Sequence, residues 1–250
     1  MYRVGFAVSL ALCLIVLAAP AAERASAKRD AAPKAAVSKP AASPRNRGTA
    51  KKQLARKPPI EEGFESLFDG KSLNGWQGAT ASYEVKNGVL ASKDKAGGNL
   101  FTTRQYADFI LRFEFKLTPG ANNGIGIRAP LDGRVSRTGM EIQIIDDSAK
   151  KYQDLHDYQF HGSIYGLVPA KRGFLKPVGQ WNQEEILCQG PHVQVTLNGQ
   201  VIVDADLNKL EPIGLDGDPH PGRNRTKGYI ALLGHKSRVE FRNLRIKELK

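Results

Sequence analysis

Between Met140 and Asn182 the chain gathers side chains that move protons and hydrogen-bond polar ligands. In Glu141-Ile142-Gln143-Ile144-Ile145-Asp146 a carboxylate and an amide alternate with isoleucines. That is a strand pattern which turns Glu141 and Gln143 to one face, with Asp146 joining them only through a bulge. A His/Tyr-rich loop follows from Tyr152 to His161, then Gly162-Ser163-Ile164-Tyr165-Gly166 and Lys176-Pro177-Val178-Gly179-Gln180-Trp181-Asn182. Polar groups facing such a loop add little stability; they suit a concave site for a polar ligand. For proton transfer, His161 is the first candidate base, because an imidazole titrates near ~6.5. Glu141 is the second, as base or as the group that orients an imidazole. Candidate substrate-binding residues are Asn123, Arg128, Gln143, Asp146, Tyr165, Lys176 and Trp181. The plainer alternatives are a turn histidine before Gly-Ser and core aromatics at Tyr165 and Trp181.

A divalent metal is an open alternative. Glu141, Asp146, His161, His220 and His235 are possible ligands, and Asp146-Asp147 could hold Ca²⁺, but no short His/Asp spacing announces a site. His235 ends an apolar strand after Gly234 and is expected to be a satisfied core histidine. Asp216-Gly217-Asp218-Pro219-His220-Pro221-Gly222 reads as a mobile loop at a rim or as a plain turn cluster.

The elements that must position these groups are strands. Tyr83–Leu90 is a hairpin turning at Asn87-Gly88, and Val193–Val203 another turning at Asn198-Gly199. Phe109, Leu111, Phe113, Phe115 and Leu117 alternate with Ile110, Arg112, Glu114 and Lys116, a strand with one buried face. Gly124-Ile125-Gly126-Ile127-Arg128 is a strand whose glycines suggest a close approach or a ligand surface. In the last strand Val239 and Phe241 are out of phase with Leu244 and Ile246, and a bulge near Arg242-Asn243 restores all four to the core. No long amphipathic helix is legible. The pattern is all-β, a sandwich or jelly roll.

The ends differ from the rest. Met1 to Ala27 reads as a signal peptide: Arg3, an apolar run from Val4 to Ala19, then small residues at a cleavage site. The run is shorter than the ~20 residues of a spanning helix, and Cys13 inside it is a poor lipidation site. Residues 28–60, rich in Ala, Lys, Arg, Pro and Ser, read as a disordered basic tether. Residues 61–250 form one domain. The formal charge of +12 belongs to the ends. Twelve of the 37 basic and two of the 25 acidic residues precede Glu61, which leaves 25 against 23. Specific nucleic-acid binding by the domain is therefore not indicated. No membrane span is expected after signal cleavage, and the protein is expected to be secreted or periplasmic. Cys188 has no partner within the domain and reads as a small buried hydrophobe.

Phe68-Asp69-Gly70-Lys71-Ser72-Leu73-Asn74-Gly75-Trp76, Asn123-Gly124-Ile125, Glu141–Asp146, His161–Gly166, Gly234-His235 and Val239–Ile246 occur in an order and spacing that resemble the 3-keto-disaccharide hydrolase family. The resemblance implies a concanavalin A-like jelly-roll sandwich of two antiparallel sheets, acting on glycosides whose C3 is a ketone. The strand at Glu141 also faintly resembles the Glu-x-Asp-x-x-Glu of laminarinase-type glycosidases. Here it reads Glu141-x-Gln143-x-x-Asp146, without the paired carboxylates that retaining hydrolysis requires. A 3-keto sugar needs no such pair. A base removes the acidified C2 proton, the enolate expels the C1 substituent, and water adds back. Enolate stabilisation by Lys176, Gln143 or a metal and proton donation by Tyr165 complete the scheme. Two readings follow: an enzyme cleaving keto-glycosides, with Glu141 and His161 on one concave face, or a non-catalytic carbohydrate-binding module tethered in the envelope.

Overall fold

The computed structural model describes residues 61–250; the leader read at 1–27, the tether at 28–60 and Cys13 lie outside them. Two antiparallel sheets face each other. The larger, eight-stranded sheet runs β11 (Gln200–Asp206), β10 (His192–Leu197), β9 (Trp181–Gln189), β6 (Phe109–Leu117), β13 (Val239–Glu248), β4 (Val89–Ser92) and β3 (Tyr83–Lys86), with β1 (Glu65–Ser66) pairing to β13. The smaller, five-stranded sheet runs β2 (Trp76–Gly78), β5 (Gly97–Tyr106), β12 (Gly228–His235), β7 (Asn122–Ala129) and β8 (Met140–Ile145). Helix is confined to short pieces among the described residues, the only α-helix there being the four-residue α1 (Val135–Thr138). None is long and apolar enough to cross a membrane.

The strands form as their alternation dictates. On β6 the odd residues from Phe109 to Leu117 are buried and the even ones half-buried. At β13 the register against β6 shifts between Arg242 and Arg245, with Asn243 at φ 53°. The bulge puts Val239, Phe241, Leu244 and Ile246 all in the core. Both hairpins turn through two left-handed residues, Asn87 (φ 53°) with Gly88 (φ 78°) and Asn198 (φ 50°) with Gly199 (φ 85°). That is the backbone a two-residue hairpin loop requires. From the smaller sheet Ile125, Ile127, Met140, Ile142, Ile144, Ile230 and Leu232 point into the same core. Each such buried side chain contributes about 1.5–3 kcal/mol.

β8 ends the smaller sheet, and the segment after the His/Tyr loop covers its edge. Gln143 N–H donates to Ser163 O (3.0 Å), Gly162 N–H to Gln143 O (2.8 Å) and Tyr165 N–H to Glu141 O (2.9 Å). Backbone groups that would template a foreign strand are thereby satisfied. The same clamp assigns the loop's side chains to opposite sides of β8, with Ile164 in the core and Tyr165 lining the outer face.

Candidate active site on the outer face of the smaller sheet

Because Met140, Ile142 and Ile144 take the core side of β8, Glu141 and Gln143 take the outer one. Part of that face is covered. Val135 of α1 packs there with Phe101, Ala129, Ala231 and Leu233, against Gly126, where a Cβ would stand 3.0 Å from Val135 Cγ1. The rest is an open cleft of about 190 Å³, lined by Asn99, Asn122, Arg134, Ser136, Glu141, Gln143, Tyr165 and His235, among others. This lies below the ~300 Å³ typical of enclosed small-molecule sites, so a ligand larger than one ring must extend past it.

The chemistry in the cleft centres on Glu141 and His235. His235 Nε2 lies 3.5 Å from Glu141 Oε1, the imidazole 47% exposed and the carboxylate 8%. This is a long contact of the kind ligand-free acid–base pairs show. Tyr165 completes the edge: Gln159 Nε2 donates to its hydroxyl oxygen (3.1 Å), which leaves the hydroxyl proton free to be given away. Arg134, exposed at the mouth, supplies a cation, with Nε donating to Ser136 Oγ (3.1 Å). Gln143 is buried, and its Oε1 has no hydrogen-bond partner.

The expected pairing of Glu141 with His161 on one concave face does not occur. His161 is on the inner side, 3% exposed, stacked on Phe115 at 5.0 Å. Its Nδ1 accepts from Ile145 N–H (3.4 Å) and its Nε2 meets Glu184 Oε2 of β9 at 3.1 Å. Glu184 faces inward because it shares parity with Ile186 and Cys188, so this buried pair bridges the two sheets. His161 is a core residue here, with neither nitrogen offered to solvent. His235 is the reverse: the expected core histidine stands in the cleft.

The other candidates are scattered. Gln143 and Tyr165 share the cleft with Glu141. Asp146 and Lys176 line a separate hollow of about 260 Å³ with His161. There Asp146 accepts from Gly120 N–H and from Ser148, and Lys176 Nζ donates to Trp181 O. Asn123 is buried, its Oδ1 accepting from Gly124 N–H. Arg128 is consumed structurally, bonding Ala107 O, Gly190 O, Arg225 O and Asp108. Trp181 belongs to the larger sheet, with Arg242 and Lys116 over its ring. A third hollow, about 320 Å³, lies on that sheet, but its charges are engaged in the Arg112–Glu61, Arg112–Glu185 and Arg245–Glu61 pairs. Among the described residues no three His, Cys, Asp or Glu side chains converge as a metal site.

The 216–222 loop, read as either a mobile rim loop or a plain turn cluster, is a bonded turn beside the cleft. His220 is buried, bonding Ser136 O through Nδ1 and Asp216 Oδ1 through Nε2, each at 2.9 Å. Burial pushes the Asp216 pKa up. Hydrogen bonds from His220 and the Asp218 N–H, with the charges of His220 and Arg137, outweigh it and hold the carboxyl below its usual range. Gly166 leaves room for this pair: a Cβ there would meet His220 Cε1 at 2.6 Å.

Sequence reasoning passed over Asn99, Asn122 and Arg134 altogether, because only the order β5-β12-β7-β8 and the fold of the 130–134 loop bring them to one cleft with Glu141.

Against known proteins, the sequence model of the 3-keto-α-glucoside-1,2-lyase-like domain matches residues 63–247. A 3-keto-disaccharide hydrolase of Bacteroides thetaiotaomicron is 26% identical over 230 residues, 75% of this chain and 79% of its own. A solved structure from Parabacteroides distasonis, provisionally described as a glycosyl hydrolase, is 31% identical with a TM-score of 0.66, covering 74% of this chain and 99% of its own. A second from the same organism, at 24% identity and a TM-score of 0.64 over 75% of this chain and 95% of its own, shares the fold.

Proposed function

The chain belongs to the 3-keto-α-glucoside-1,2-lyase-like domain family, and on that premise we propose that it cleaves 3-keto-glycosides in the Glu141–His235 cleft. A carbohydrate hydrolase-like function follows from the family and its relatives. The observation that carries the finer reading is the 3.5 Å approach of His235 Nε2 to Glu141 Oε1 on an open face.

With Nε2–H turned to Glu141, Nδ1 of His235 is the basic nitrogen; the tautomer is inferred from the neighbouring carboxylate. His235 takes the C2 proton that the C3 ketone has acidified. Glu141, itself 8% exposed, orients the ring and stabilises the imidazolium from one side, while the other side of the half-exposed ring stays open to substrate and solvent. The electron pair of the C2–H bond moves into the enolate, and Arg134 answers the charge on its oxygen. Collapse of the enolate forms the C1–C2 double bond and breaks the bond from C1 to the leaving oxygen. That oxygen takes the proton of Tyr165. Water then adds: its hydroxyl goes to C1 and its proton restores Tyr165, while His235, its proton exchanged with solvent, returns one to C2, giving net hydrolysis. Neither a covalent nucleophile nor a second carboxylate is used, which agrees with Gln143 standing where laminarinase-type enzymes carry an acid.

The test is to incubate the full chain with a 3-keto-glucoside and its unoxidised parent in D₂O and follow the products by NMR. Cleavage of the keto form alone, with deuterium at C2, is expected. Equal cleavage of both, or no C2 deuterium, would replace elimination by direct hydrolysis. Sugar binding with no turnover would favour the binding-module reading.

A further inference from the structure

Tyr165, at the edge of the cleft, is the first of a fixed row of aromatic rings. The Tyr158 ring stands edge-on to Tyr165 with centroids 5.9 Å apart at 82°, and His156 stacks on Tyr158 at 5.4 Å and 11°. One amide fastens the row. Gln159 Oε1 accepts from His156 N–H (3.0 Å) while its Nε2 donates to the Tyr165 hydroxyl. The first of these bonds caps the short 3-10 turn Asp157–Gln159, whose N-cap is His156, and the second ties it to Tyr165. Ser163 ties the turn to the clamp on β8, its hydroxyl donating to Asp157 O (3.3 Å) and accepting from Ala170 N–H (3.0 Å). His156 is exposed, and Tyr158 and Tyr165 are half-buried.

An arrangement that holds these rings in place yet leaves His156 exposed and both tyrosines only half-buried is not built for the core alone. It prepays the ordering that a ligand would otherwise have to impose. Aromatic rings offer broad apolar faces at small entropic loss. Among the described residues no hydrogen bond reaches the Tyr158 hydroxyl, so the ring is what this residue contributes. The 211–219 loop is joined next to Tyr165 by Leu215 N–H donating to Gly166 O (2.7 Å), and it carries Leu215 58% exposed.

We propose that the His156–Tyr158–Tyr165 row is the subsite for the leaving group of the glycoside, and that this group is a second sugar ring stacked on Tyr158. The inference rests on the keto-glycoside reading above. The cleft at Glu141 is too small for two rings, and the proton donor Tyr165 stands at the junction between cleft and row. The leaving oxygen must therefore lie at Tyr165 with its ring beyond.

The test compares two substrates on the full chain, 3-keto-trehalose and methyl 3-keto-α-glucoside, whose leaving groups are a sugar ring and a methyl. Tyr158→Ala is expected to lower kcat/KM for 3-keto-trehalose about tenfold, mainly through KM, the usual loss when a packed aromatic anchor is truncated. The methyl glycoside should change less than about twofold, and Tyr158→Phe, which keeps the ring, should restore the disaccharide rate. Equal losses on both substrates would overturn the subsite and leave Tyr158 as a mere support of Tyr165. If the wild-type chain turns over neither substrate, the proposed activity fails, and saturation-transfer NMR with trehalose tests the subsite alone. Saturation transfer to trehalose that is lost in Tyr158→Ala and kept in Tyr158→Phe would uphold it; transfer unchanged in Tyr158→Ala would overturn it.

Discussion

The Glu141 carboxylate lies over Gly124: a Cβ on that glycine would stand 2.3 Å from Glu141 Oε1 and 2.9 Å from its Cδ. The missing side chain on β7 is therefore the space in which the acid rests as it meets His235. Gly124→Ala is expected to lower turnover about 10²-fold, because displacing a reacting group by an ångström has that effect. Stability should fall by only about 1–3 kcal/mol, the range for an added methyl. Parallel kinetics and thermal unfolding check this; a variant equally active would show that the carboxylate's pose is irrelevant.

Removing either partner of the pair is a sharper probe. Glu141→Gln and His235→Ala should each cost about 10²-fold or more in kcat on a 3-keto-glucoside, the scale of a lost acid–base group. Both should retain the wild-type melting temperature within a few degrees, since both groups face the cleft. Normal rates in His235→Ala would return the base to another residue.

His161 should behave oppositely. Its side chain is 2% exposed and that of Glu184 0%, and Glu184 Oε1 has no hydrogen-bond partner. His161→Ala strands a carboxylate in the core and is expected to destabilise by about 3–5 kcal/mol. Replacing both, His161→Phe with Glu184→Leu, should recover much of that loss, since apolar groups often replace a buried pair without penalty. Denaturant unfolding of the three variants decides it; a single variant as stable as wild type would contradict the core assignment.

Acid should loosen the edge where the domain begins. Hydrogen bonds from Arg245 and Arg112 bring the Glu61 carboxyl from 4.5 down to about 2. A carboxyl lowered on folding contributes its stability above its unfolded value and loses it as pH falls toward the folded one. The melting-temperature gap between wild type and Glu61→Gln should thus be widest above pH 4.5 and close toward pH 2. The gap will be small, because the carboxylate is 48% exposed and well screened. A gap that widens on acidification would reverse the assignment.

Cys188 should be chemically silent. Burial pushes its thiol up to about 11 and removes it from solvent. Alkylation mapped by mass spectrometry should modify Cys188 only after unfolding.

The strands, both Asn-Gly hairpins and the bulge in β13 were legible because they are local. A period of two assigns Phe109 to Leu117 and Met140 to Ile145 to faces without knowledge of partners, and Asn-Gly specifies its own backbone. The same periodicity turned Glu141 and Gln143 outward together. What alternation cannot say is which residues from distant strands meet on that face. His235 reaches Glu141 only because β12 is hydrogen-bonded between β5 and β7, with β8 next to β7. His161 fell inside because the segment from Gly162 clamps along the edge of β8, and the clamp's register, not the residue type, chose its side. Strand order and edge pairing are set by long-range hydrogen bonding and by the packing of one sheet on the other. They decided which histidine meets the acid and which one holds the sheets together.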